Sequence, residues 1–132
     1  MSNGTDVLRS WGITLLRVTV GAVFVAHGGQ KFFMGFQNVA GFLGGLGIPQ
    51  PTAAAILLTA VEFFGGLAMA LGILTRYIAI MLAFDMAVAI VMFHWHNGFF
   101  MAQNGIEFAM VLLAANLTLI LSGGGSAELY RF

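Results

Sequence analysis

Residues 17–31, RVTVGAVFVAHGGQK, are apolar enough to lie in a bilayer, yet they hold Arg17, His27, Gln30 and Lys31. A charged side chain in hydrocarbon costs about 2.5–3.5 kcal/mol on insertion scales. A chain that keeps such groups in one membrane helix must supply partners or water for them. The rest of the sequence offers them: Glu62, Asp85, His94, His96 and Glu107 all lie in or at the ends of other apolar segments. Only 8% of the 132 residues are charged and 60% are hydrophobic, against about 25% charged in soluble domains. The chain is therefore expected to be one integral membrane domain.

Four apolar segments emerge, at about residues 11–33, 52–74, 77–94 and 105–121. At 1.5 Å rise, ~20 residues cross the hydrocarbon core. The expected fold is an all-α bundle of four transmembrane helices, with residues 1–10 as a short polar tail and Trp11 at the interface. No A-x-A site follows the first apolar run, so that helix is read as retained rather than cleaved. Between the first two spans, FQNVAGFLGGLG puts Phe36, Val39, Leu43 and Leu46 on one helical face. This predicts a short helix lying in the interface or dipping into the protein, ended by the prolines of GIPQP. Four spans put both termini on one side with Arg9, Arg76 and Arg131, and the excess of positive charge there predicts a cytoplasmic location.

Depth counting suggests which polar groups meet. Arg17 falls about 9 Å and Asp85 about 12 Å from the cytoplasmic ends of their segments. An Arg17–Asp85 ion pair is the expected structural contact, with Glu62 near mid-membrane as a competitor for Arg17. Farther out, His27 and Lys31 are four apart and share a helix face. Glu107, His94, His96 and Asn97 reach the same level, rimmed by Phe32, Phe33, Phe99 and Phe100. This predicts either an outward pocket for a planar, partly polar molecule or an interfacial network joining Lys31 to Glu107. One of His94 and His96 can point inward. A weak repeat, His27 and His94 each followed by four residues and then Phe-Phe-Met, favours His94.

Several function classes drop out. There is no cysteine, hence no disulfide, thiol relay, iron–sulfur cluster or c-type haem attachment. No basic run points to nucleic acid, and no phosphate loop or nucleophile setting is present. His27 and His94 leave a bis-His haem, or a transition metal completed by a carboxylate, as open options, although no ordinary metal-ligand spacing occurs.

LLRVTVGAVFVAHGGQKFF, GFLGGLGIP, VEFFGGLAMALGILTRYIA, HNGFF and IEFA together resemble the DoxX family of small bacterial membrane proteins, over residues 15–121. The match lies in Arg17, His27-Gly28, Lys31, Glu62 with Gly65-Gly66, Thr75-Arg76, Asn97-Gly98-Phe99-Phe100 and Glu107. The resemblance implies a four-helix inner-membrane protein tied to quinone-linked redox systems or to quinone and oxidative stress. Family members often carry an oxidoreductase label without an established activity. On that resemblance the outward pocket takes a quinone-like headgroup. His27 or His94 would hydrogen-bond or shuttle a proton, Lys31 would stabilise negative charge, and Glu62 or Glu107 would relay protons. His94, Asn97, Glu107, Phe99 and Phe100 would line the ligand. A redox-enzyme partner supplies one context, and small-residue faces permit a homodimer. Two other classes stay open: an oligomeric transporter or channel for a proton or small molecule along the line from Arg17 to Lys31, and a non-catalytic membrane assembly partner.

Overall fold

In a computed structural model, which describes residues 4–130, the apolar segments form five helices: α1 Gly4–Met34, α2 Phe36–Gly45, α3 Pro51–Leu71, α4 Thr75–Met92 and α5 Glu107–Ser122. Two short 3-10 turns, His94–Asn97 and Met101–Gln103, lie between α4 and α5. The chain is thus an all-α membrane protein. α1 begins at Gly4 rather than Trp11, so residues 4–10 of the expected polar tail are helical, and residues 1–3 lie outside the described residues. Asp6 sits in the first turn, where the helix dipole favours an acid, and it pairs with Arg9 at 3.6 Å. Pro51 starts α3 at a position where its missing N–H costs nothing.

Helices α1, α3 and α4 are long and apolar enough to cross a membrane. α5 is equally apolar, but its 16 residues span only about 24 Å. Directions alternate through α1, α3, α4 and α5. The start of α1, the turn at residues 72–74 and the segment after α5 gather at one end. The α1–α2 junction and the loop at residues 93–106 lie at the other.

The tightest contact is α1 on α3. Gly66 packs against the backbone and side chains of Gly21, Phe24 and Val25, and Gly28 lies flat on Phe63. Small residues allow such backbone approach between membrane helices. α2 folds back over α3, where Val39, Ala40, Leu43 and Ala55 form a small buried cluster. The face predicted for this helix is the one it buries. The main core, including Val20, Phe24, Met69, Leu82, Leu112 and Leu119, fills the bundle toward the end where the chain termini gather.

That end is closed by a strap at residues 123–130. Leu129 N and Tyr130 N donate to the carbonyls of Leu71 and Gly72, and Leu74 N donates to that of Tyr130, all at 3.0–3.1 Å. Ser126 N donates to Thr14 Oγ1 at 2.9 Å. Arg17, 2% exposed, lies beneath the strap. Its Nη1 donates to the Gly124 carbonyl at 2.7 Å and its Nη2 to that of Ala70 at 3.4 Å.

The expected Arg17–Asp85 ion pair does not form. Arg17 lies level with the α3–α4 turn, whereas Asp85 is ten residues along α4, about 15 Å higher. α1 runs roughly three helical turns past the α3–α4 turn, so the segment ends from which depth is counted are not level. Arg9 and Arg76 do share the strap end; Arg131 lies outside the described residues.

The close α1–α3 contact makes a prediction. An added Cβ at Gly28 would meet Phe63 N at 2.5 Å, whereas one at Gly29 meets nothing within 4 Å. Gly28→Ala is expected to lower stability by roughly 1–3 kcal/mol, and Gly29→Ala to leave it unchanged or slightly raised, in unfolding titrations of the detergent-solubilised protein.

Candidate ligand cavity

α1 clings to α3 and α4 to α5, but the contact between α3 and α4 is sparser. The space between the two pairs, roofed by α2, is a cavity of about 770 Å³. That size suits one drug-sized ligand. Its walls are overwhelmingly apolar, for example Phe24, Leu58, Val61, Met86, Val88 and Leu112. Five groups break the apolar lining: His27, Lys31, Glu62, Asp85 and His94.

Lys31 Nζ donates to Glu62 Oε1 at 2.5 Å. The side chains are 21% and 5% exposed, so the carboxylate depends on the ammonium for its partner. Asp85 lines the same cavity wall as Glu62. Its buried Oδ2 meets no N–H or hydroxyl donor among the described residues. A carboxyl donates only when it carries a proton, so a hydrogen bond between these two acids would require one of them to be protonated. Both acids stand about ten residues from the α3–α4 turn, which sets them level in the hairpin. That symmetric count was the signal in the sequence for Asp85 joining Glu62 rather than Arg17.

His27 lies one helical turn before Lys31 on the same face. Its ring is 5.9 Å from that of Phe108, tilted by 34°. His94 comes from the turn just past α4. Its Nδ1 donates to the Asn104 carbonyl at 2.7 Å, which in the neutral ring leaves Nε2 as an acceptor. His94 thus lines the cavity, whereas His96 is exposed. The edge-on contact of Phe93 with Phe42, centroids 5.1 Å apart, ties the end of α4 to α2.

The other expected ligand residues are placed elsewhere. Asn97 Nδ2 donates to the carbonyls of Phe93 and Asn104, each at 3.3 Å. Glu107 Oε1 accepts the Met101 N–H at 3.1 Å. Both fix the loop. Phe99 and Phe100 are exposed, and Phe99 shares with Glu107 a separate shallow groove. The cause is the end of α4 at Met92: the chain then turns away from the cavity, and Lys31 meets Glu62 instead of Glu107. The α2 side chains Phe42, Leu43 and Leu46 line the cavity and were not foreseen as site residues. Their apolar spacing marked a packed face without showing what it covers. Among the described residues no three histidines or carboxylates stand close enough to hold a metal ion.

The DoxX family profile matches residues 12–95. A Haemophilus influenzae protein, uncharacterized by name, is 30% identical over 130 residues, 96% of this chain and 94% of its own length. "Putative oxidoreductase CatD" of Bacillus subtilis is 31% identical over 112 residues, 85% of this chain and 79% of its own. "Inner membrane protein YphA" of Escherichia coli is 28% identical over 124 residues, 90% and 88% of the two chains. No solved structure matches significantly.

The buried pair at the cavity yields a stability test. Lys31→Met leaves Glu62 and Asp85 without a cation and is expected to cost about 1–3 kcal/mol, less than a fully sealed pair because Lys31 keeps some water. Lys31→Met combined with Glu62→Leu is expected to recover most of that loss in the same unfolding assay.

Proposed function

This chain belongs to the DoxX family of membrane proteins, and from that premise we propose that it is the small-molecule-binding membrane component of quinone-linked redox metabolism or quinone-stress resistance. The observation that carries this reading is the cavity: an apolar chamber inside a membrane bundle, with Lys31, Glu62, Asp85, His27 and His94 as its polar groups. A quinone ring presents two oxygens that accept hydrogen bonds when oxidised and donate them when reduced. Lys31 has N–H groups beyond the one given to Glu62 and can donate to an oxygen. His94 Nε2 can accept from a hydroxyl. Glu62 and Asp85 line the same wall and can hold or pass a proton there. These groups bind, orient and exchange protons, while a partner enzyme of the membrane supplies or takes the electrons. The name of the Bacillus subtilis relative points the same way.

In this reading the whole chain is one inner-membrane domain, α5 is its fourth span, and the strap end with Arg9 and Arg76 faces the cytoplasm. Transport along the line from Arg17 to Lys31 has less support. Val20, Phe24, Met69 and Leu82 are buried between the strap end and the cavity groups, and this apolar layer interrupts the line.

Binding of a short-chain ubiquinone analogue to the protein in nanodiscs, followed by quenching of tryptophan fluorescence, tests the proposal. His27→Ala and Glu62→Gln are each expected to weaken binding by about tenfold, the worth of one hydrogen bond to a charged or polar group. His96→Ala is expected to change nothing. Equal affinity in all four proteins would remove the site.

A further inference from the structure

Six large apolar residues of the cavity wall are also surface residues; Phe42 on α2 and Met101 in the loop are two of them, and the other four cluster between α3 and α4. Leu57 on α3 is 66% exposed, and Ile80, Met81 and Phe84 on α4 are 51%, 43% and 71% exposed; all four line the cavity. A side chain that does both stands on a rim. This rim lies between two adjacent helices, each long and apolar enough to cross a membrane. Ile80 to Phe84 occupy the middle of α4, about 8–14 Å along from Thr75. At that depth the surroundings are hydrocarbon, not water. The strap end offers no such opening, because Met69, Leu82 and Leu119 are fully buried there. The polar groups Lys31 and His94 lie toward the other end, under α2 and the loop.

We propose that the cavity admits its ligand sideways from the bilayer, between α3 and α4, and that the ligand is a single-tailed lipid with a small polar ring as its head. The head reaches Lys31, Glu62, Asp85 and His94, and the tail lies in the rim of Leu57, Ile80, Met81 and Phe84. This rests on the reading of the cavity as a quinone-type site and narrows it to tail-bearing molecules dissolved in the membrane. Charge and shape agree with that occupant. The apolar rim suits a tail, and about 770 Å³ suits one ring with the first part of one chain. Met81, Met86 and Met92 in the α4 wall are flexible fillers that adapt to a chain of no fixed shape.

The absence of native cysteine makes the test direct. Leu57→Cys and Ile80→Cys, each labelled with a bulky aryl maleimide, plug the rim; labelled Leu15→Cys, exposed on α1 away from the cavity, is the control. The probes are a prenylated ubiquinone analogue, the tail-less dimethoxy-methyl-benzoquinone and laurate, with nanodisc-embedded protein and circular dichroism to check folding. The unlabelled protein is expected to bind the tailed quinone at least about tenfold more tightly than the tail-less one, the worth of roughly two buried methylenes. Labels at Leu57→Cys or Ile80→Cys are expected to remove that binding, and the label at Leu15→Cys to leave it intact. Equal binding of tailed and tail-less quinone, unaffected by the plugs, would overturn the lateral route while keeping the quinone site. Plug-sensitive binding of laurate alone would keep the route and overturn the quinone head. Binding of none of the three would overturn both.

Discussion

Helix α1 lies against α3 nearly backbone to backbone, and the shape of the bundle follows from that contact. Gly66 and Gly28 remove the side chains that would hold the two helices apart. Their approach brings Lys31 within reach of Glu62 and fixes an ion pair that neither helix offers alone. It also makes the bundle unequal. α4 packs with α5 more closely than with α3, so the gap opens between the α1–α3 pair and the α4–α5 pair. A bundle with four equal helix spacings would fill that gap with core.

The polar groups are sorted between two ends by the same logic of desolvation. At one end Arg17 is sealed under residues 123–130, with Nη1 and Nη2 donating to the carbonyls of Gly124 and Ala70 and Nε without a partner among the described residues. The guanidinium thereby holds a segment too short and too glycine-rich to fold by itself. At the cavity Lys31, Glu62 and Asp85 form one group in which an ion pair and a second carboxyl share a wall with apolar side chains. The first arrangement ties chain ends together. The second keeps exchangeable groups beside an open volume, which a purely structural network does not need.

Much of the fold was legible because hydrophobic runs in a membrane chain are long and their breaks are marked by proline and glycine. The helix after the first span was legible in the same way, from Val39 and Leu43 recurring on one face. Between His94 and His96 the sequence offered only a weak repeat that favours His94. What failed was absolute depth. α1 extends past the α3–α4 turn, so counts begun at the two segment ends do not start level, and Arg17 falls beside the turn instead of beside Asp85. Counting outward from the α3–α4 turn would have paired Asp85 with Glu62 correctly. The loop at residues 93–106 was legible only as a set of residue types. Whether Asn97 and Glu107 face a ligand or fold back on Phe93, Asn104 and Met101 depends on where α4 stops, and no strong breaker marks that point.

If the chamber in this bundle holds a lipid-soluble ring molecule as proposed, that molecule travels with the protein out of the membrane. The most direct measurement is mass spectrometry of the lipids that leave the native membrane with the protein when it is excised in polymer nanodiscs without detergent. The expected result is a single-tailed ring lipid, enriched over the surrounding membrane in near-equal amount to the chain and lost when Asp85→Asn and His94→Ala are combined. Phospholipid alone, in the proportions of the surrounding membrane and unchanged by those substitutions, would contradict it.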